Sequence, residues 1–392
     1  MEVATFKLER WFASSDSETL SVRELLALDA EPETLGLPAL RAAVAEMYEK
    51  VCADDVFVAA GAEEAIFLFF TAVLRRGQAV VVHYPAYQSL FQLAEAAGCE
   101  VIKWQTTQEG NWELDLEFLE NTLQQRNGDG ADPQHKVAGI VVNCPHNPTG
   151  YCMDRAKQSR LVELARQYDV FIFSDEVYRY LSHPRPSSEL KSDDVSPMCD
   201  LYDKAVSLGV MSKSFGMAGL RIGWVATRWQ EARAAMAQLK DYTSICSSGT
   251  SEYLSVVALR NKEKVLERTV GIAQRNLALL DVFFTEFPSV FSWVRPTGGA
   301  TGFPRLHFVP KLKAYLESVA ASQPKATDGQ PRPLMEVFCE DLVVQQGVLL
   351  LPGSCYDESY ADHFRLGFGR ADMSASLDKL RAYLHTVLDQ QE

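Results

Sequence analysis

From Val56 onward the chain alternates short, uninterrupted apolar runs with longer stretches whose apolar residues recur every three or four positions. VFVAA leads into AEEAIFLFFTAVLRR, AVVVHY into QSLFQLAEAAG, VIKW into LDLEFLENTLQQ, and AGIVVN into DRAKQSRLVELARQYD. VFIFSDEVY, AVSLGVM and RIGWVAT complete the series. Continuous apolar strands separated by amphipathic helices predict a mostly parallel sheet covered by helices on both faces. Ahead of it, Pro38 to Lys50 predicts a helix with proline in its first turn and Leu40, Val44 and Met47 on its apolar face. The residues before that, about 35 by boundary judgement, are expected to form an arm. Glu263 to Phe287 carries one long helical pattern, a connector to a second unit. There FSWVRP, FPRLHF, VLLLPG and HFRLGFG are short strands set between helices, with a terminal helix, an α+β pattern. The expected division is residues 1–40 as arm and part of a small domain, 41–260 as the large domain, and 261–392 as interdomain helix and small domain. Stretches 126–134, 183–197 and 319–333 are polar and rich in Pro and Gly, so they are expected to be loops or insertions.

Composition changes this picture little. The 392 residues are 47% hydrophobic and 23% charged, ordinary for a protein with a large core. A net charge of −14 argues against a nucleic-acid or anionic-membrane partner and means that any anionic cofactor needs a local positive site. The eight cysteines form no CxxC pair, and most lie in apolar runs, so they are expected to be reduced core thiols rather than a disulfide framework or metal site. MEVATFKLERWF carries charges where a signal peptide needs an apolar centre, and no run is long enough to span a membrane, so a soluble cytoplasmic protein is expected.

The stretch Ser207 to Trp224, SLGVMSKSFGMAGLRIGW, holds the most pointed chemistry. Lys213 follows a buried apolar run and is surrounded by Gly216, Gly219, Gly223 and Arg221, with almost no other charge. Burial lowers an amine's pKa and makes it nucleophilic towards a carbonyl. On this stretch alone, a strand-end lysine with its ammonium in water is an equal reading. Asp175 ends the apolar run VFIFSD, where a carboxylate is costly without a cationic partner; a helix cap is the plainer alternative. Gly61, Ala62 and Glu63 open a helix directly after a strand, where free N–H groups can bind an anion. Arg221 suits that anion as a bidentate donor, and Ser212 as a hydroxyl donor. Arg365 lies inside the apolar strand FRLGFGR and needs an anion, whether a buried acid or a ligand.

Taken together, these motifs resemble the fold-type I pyridoxal phosphate enzymes, in particular the class I/II aminotransferases. The lysine segment recurs with NCPHNPTG (Asn143 to Gly150), SDEVY (Ser174 to Tyr178) and FRLGFGR (Phe364 to Arg370) in that family's order. The resemblance implies an aminotransferase-like α/β fold of fold-type I, a large domain with a mostly parallel sheet plus a smaller α+β domain, and pyridoxal 5′-phosphate as cofactor. It implies a Schiff base to Lys213, with Asp175 keeping the pyridine nitrogen protonated so that the ring acts as an electron sink. Tyr178 and Asn147 then resemble the residues that hydrogen-bond the ring oxygen, and Tyr87 the aromatic that stacks on the ring. Gly61, Ala62, Glu63, Ser212 and Arg221 fall at the phosphate. Gly36, Asn147 and Arg365 fall at the substrate, Arg365 on its α-carboxylate. No metal is implied.

Two departures stand out. Val210 occupies a position where the family often has a phosphate-binding hydroxyl. DAEPETLG lacks the tyrosine that commonly reaches into the neighbouring subunit, so that contact is absent or comes from elsewhere, as from Ser247 or Ser248. The resulting expectation is a homodimeric aminotransferase that moves an amino group between an amino acid and a 2-oxo acid. The alternative is a lyase, cyclase or oxidase using the same cofactor. DYTSICSS, TGGATGFPRL and GVLLLPGSCY are similar to the capreomycidine synthase branch, which cyclises an arginine derivative. A ligand sensor of aminotransferase-like fold is disfavoured by the intact lysine.

Overall fold

Seven apolar runs become the strands of one sheet in the computed structural model, which describes residues 10–11, 37–132, 135–183, 195–322 and 332–389. They are β1 (Val56–Ala59), β2 (Ala79–Tyr84), β3 (Glu100–Gln105), β4 (Val137–Asn143), β5 (Phe171–Asp175), β6 (Ala205–Val210) and β7 (Gly223–Ala226). Their spatial order is β1-β7-β6-β5-β4-β2-β3, and β7 alone runs antiparallel to its neighbours. The fold is thus α/β, a mostly parallel sheet between helical layers, as expected. Strands β2, β5 and β6 are buried at every residue, because successive side chains feed two opposite helical layers.

The longer helices of this part are α1 (Leu37–Ala45), α2 (Ala62–Val73), α3 (Ser89–Ala96), α4 (Leu116–Asn127), α5 (Arg155–Gln167), α6 (Gln230–Lys240) and α7 (Gly249–Arg260). Val80 and Val82 of β2 pack with Phe69 and Phe70 of α2 and Met236 of α6. Ala79 and Val81, pointing the other way, pack with Leu119 and Leu123 of α4 and Leu161 of α5. The edge strand β3 buries only Trp104 fully and presents Lys103 and Gln105 outward, a polar edge that resists strand addition.

A 25-residue helix, α8 (Lys262–Glu286), leads to the rest of the chain. Its Val265 packs with Leu40, Val44 and Val256 of α1 and α7, whereas Ala273 onward belongs to a second core. That core is built on α9 (Pro310–Ser322), α10 (Leu334–Gln346) and α11 (Met373–Leu388). Its strands β8 (Phe291–Ser292), β9 (Thr301–Gly302), β10 (Arg305–Leu306), β11 (Val348–Leu349), β12 (Leu351–Pro352) and β13 (Phe364–Gly367) are short. They form small sheets, including the antiparallel set β9-β13-β12. Arg10–Trp11 pairs in parallel with β11; the remainder of the expected arm lies outside the described residues.

Three expectations about elements need correction. The helix expected over 38–50 ends at Ala45, because the chain turns so that the N–H groups of Glu49 and Lys50 bond the Asp200 carboxylate at 2.9 and 2.8 Å. Residues 319–322, expected as insertion, belong to α9. Cys52, Cys246 and Cys355 are exposed rather than core, though all eight cysteines are free thiols. Among the described residues no helix is long and apolar enough to cross a membrane.

Candidate active site

Parallel strands bring their carboxyl ends to one edge of a sheet, and ligands of such sheets bind just beyond it. Here β1, β2, β4, β5 and β6 all end at that edge and release, in turn, Gly61, Tyr87, Asn147, Asp175 and Lys213. Strand β7 runs the other way, so Arg221, two residues ahead of it, starts from the same edge. A cavity of about 240 Å³ opens there. Lys213, Asp175, Tyr178, Asn147, Tyr87, Ala62, Glu63, Ser212 and Arg221 are among the residues that line it.

Lys213 is half-buried in a turn directly after β6. The turn is fixed from both sides: Ser214 Oγ donates to the Val177 carbonyl at 3.0 Å, and Thr269 Oγ1 of α8 donates to the Ser214 carbonyl at 2.8 Å. Asp175 is buried at the end of β5, and its Oδ1 accepts from the Val177 N–H at 3.2 Å. Burial pushes its carboxyl up to about 7, although that N–H and the Lys213 charge both pull the other way. Glu176 beside it takes no part in the cavity, because its Oε1 is turned to the Ser207 hydroxyl at 2.7 Å and the Met198 N–H at 2.9 Å.

Gly61, Ala62 and Arg221 form an anion cradle at the cavity. Gly61 has φ 90° and ψ 173°, a region essentially closed to residues with a side chain. A Cβ at Gly61 would lie 2.3 Å from Arg221 Nη2, so the guanidinium packs directly on this backbone at the N-terminus of α2. The Gly61 N–H itself donates to the Ala59 carbonyl at 2.8 Å, so the backbone donors left to the cradle are those of Ala62 and Glu63, which with an arginine held this way fit a phosphate ester. The carboxylate of Glu63, which would repel that ester, accepts hydrogen bonds from the hydroxyls of Tyr87 and, at 2.7 Å, Ser89. Val210 presents an apolar wall to the cavity, so among the residues before Lys213 the hydroxyl comes from Ser212. Gly61→Ala is expected to weaken cofactor binding tenfold or more, since a backbone of this kind costs about 1–3 kcal/mol and Arg221 would also have to move. Equilibrium titration of the apoprotein with pyridoxal phosphate checks this; unchanged affinity would remove the cradle.

Arg365 of β13 is buried and reaches across from the second core, its Nη1 donating to Asn147 Oδ1 at 3.2 Å. The hydroxyl of Tyr356 donates to the same oxygen at 3.2 Å. Sequence reading missed Tyr356, and also Val177, which lines the cavity. Gly36 lies outside the described residues. His146, next to Asn147, is buried and stacked on His83 with ring centroids 3.7 Å apart.

Residues 29–380 match the family profile of aminotransferase class I and II. The chain belongs to that family. Its cofactor is pyridoxal 5′-phosphate. Capreomycidine synthase of Streptomyces vinaceus is 29% identical over 354 residues, covering 90% of this chain and 80% of that protein. A PLP-dependent aminotransferase of Streptococcus suis superposes with a TM-score of 0.79 at 29% identity, covering 98% of this chain and 95% of that one. The PLP-dependent cyclase OrfR superposes with a TM-score of 0.77 at 27% identity, covering 96% and 93%. This aminotransferase-family site therefore has relatives of more than one reaction type.

Proposed function

We propose that the protein is an aminotransferase that moves an amino group between an α-amino acid and a 2-oxo acid. The observation that carries this is the convergence of Lys213 and Asp175 on one cavity, with Arg365 held at its margin through Asn147. Pyridoxal phosphate, when bound, supplies a carbonyl that condenses with amines and a ring that accepts the electron pair left when a bond to Cα breaks. Lys213 Nζ would hold the cofactor at that carbonyl, and its amine would take the proton from the substrate Cα and return it. Asp175 keeps a proton on the ring nitrogen. Tyr178 and Asn147 would donate to the ring oxygen, and Tyr87 would pack on the ring. Arg221, Ser212 and the N–H groups of Ala62 and Glu63 would hold the phosphate, with the side-chain-free Gly61 letting it approach the backbone. Arg365, with Asn147 and Gly36, would bind and orient the substrate carboxylate. The working unit is a cytoplasmic homodimer with the N-terminal arm packed on the partner copy.

A second reading, an amino-acid cyclase or lyase, is favoured by the 29% identity to capreomycidine synthase and the likeness to OrfR. The same residues would serve it up to the proton abstraction at Cα. Single-turnover absorbance spectra across a panel of amino acids, including arginine and its hydroxylated forms, separate the two. A transaminase converts the cofactor to its amine form without any second substrate, and a 2-oxo acid then restores the starting spectrum. Recovery of the starting spectrum with no 2-oxo acid, together with a product that keeps its α-nitrogen, would transfer the assignment to the second reading.

A further inference from the structure

We propose that Tyr356 is a positioning residue that fixes the side-chain amide of Asn147 and, through it, the electronics of the cofactor ring. The inference rests on the assignment of Asn147 to the ring oxygen. Two donors converge on one face of that amide: Tyr356 Oη and Arg365 Nη1 each lie 3.2 Å from Asn147 Oδ1. An arginine has no acceptor, so the amide oxygen must face Arg365 and Tyr356, and its NH₂ must face away from them. Asn147 also lines the cavity, so its NH₂ is the group available there. Its backbone is held as well, the N–H donating to Asn143 Oδ1 at 2.6 Å.

Arg365 cannot keep this duty to itself. Its guanidinium is the group assigned to the substrate carboxylate, and each donor turned to a substrate is one fewer for Asn147. Tyr356 has no such second task. Burial keeps its phenol protonated by pushing its pKa up, so it remains a donor throughout the working pH range. Its ring also lies under the Arg365 guanidinium at 5.9 Å, which steadies both groups.

The position of Tyr356 is set from outside the cavity. The segment that carries it is tied to the polar edge of the main sheet: Asp357 pairs with Lys103 and Ser359 accepts from Gln105 at 3.4 Å. The Tyr360 hydroxyl donates to the Thr106 carbonyl at 2.9 Å. Edge strand β3 thereby anchors a residue that acts on Asn147 from the second core.

The test is the pH at which the visible absorbance of the cofactor-loaded enzyme changes in the absence of substrate. A donor on the ring oxygen favours its negative charge and lowers that midpoint, so a loosened Asn147 raises it. Tyr356→Phe removes one oxygen and almost no volume. The expected result is an upward shift of roughly half to one pH unit, what one neutral hydrogen bond supports. Asn147→Ala should raise the midpoint further, and adding Tyr356→Phe to it should then change nothing, because the effect passes through the amide. An unmoved midpoint in Tyr356→Phe beside a raised one in Asn147→Ala overturns the role of Tyr356 and leaves the site assignment intact. So does a shift that adds fully in the double variant. If Asn147→Ala itself leaves the midpoint unmoved, the assignment of Asn147 to the ring oxygen fails, and the inference with it.

Discussion

Replacing Lys213 by alanine should abolish the visible absorbance of the cofactor-loaded enzyme and slow turnover by at least ~10²–10⁴, the range a positioned proton-transfer group supplies. The residue lines the cavity with Asp175, close enough for its charge to act on that carboxyl. Loss of both the covalent attachment and the proton carrier explains why the effect should be near-total. The fold should survive, because the hydrogen bonds of Ser214 with Val177 and Thr269 hold the turn whichever residue stands at 213. Spectra and thermal melts of the variant, taken side by side, check both halves. A visible band that persists on a folded Lys213→Ala would move the attachment to another lysine.

Much of this site is legible in the sequence because a parallel sheet turns linear order into spatial order. Each apolar run buried along its whole length, such as Ala79–Tyr84 or Ala205–Val210, marks a strand, and the residues just after it fall at the same edge. Asp175, Asn147 and Lys213 are therefore readable as neighbours although their motifs are far apart in the chain. The antiparallel strand Gly223–Ala226 is the instructive exception, since the residue that matters, Arg221, precedes it.

What stayed hidden has physical reasons too. Helix α6 buries only Ala232 and Met236, too thin a stripe to mark it. Helix α7 buries the unbroken run Ser255 to Leu259, which carries no 3.6-residue period. Strands of two residues, such as Thr301–Gly302, are too short to show alternation. Tyr356 meets Asn147 across 209 residues, and only the packing of the second core against the first makes that pair. No local pattern in PGSCYDESY announces a hydroxyl aimed at another motif.

The second large effect concerns Asp175, and it should change sign with the cofactor. In the unfolded chain this carboxyl titrates near 3.8; in the folded protein burial raises it to about 7. Between those values the folded state holds a proton that the unfolded chain has released. Unfolding free energy therefore falls as pH rises through this window, by about 1.4 kcal/mol per unit and on the order of 4 kcal/mol in all. Above pH 7 the apoprotein carries the whole penalty of a buried carboxylate. Asp175→Asn keeps the shape and the oxygen that accepts from the Val177 N–H but removes the charge, so the apo variant should melt higher than wild type at pH 8 and close to it at low pH. Bound pyridoxal phosphate reverses the ranking, because a protonated ring nitrogen adds a direct cationic partner for the carboxylate and ligand binding adds to stability. The loaded variant should then melt below loaded wild type and lose the cofactor more readily. Melting curves of both proteins at pH 5 and pH 8, with and without pyridoxal phosphate, contain the whole comparison. An apo Asp175→Asn that melts lower than wild type at pH 8 would mean that the carboxylate is already compensated within the protein, and its assignment to the ring nitrogen would have to be given up.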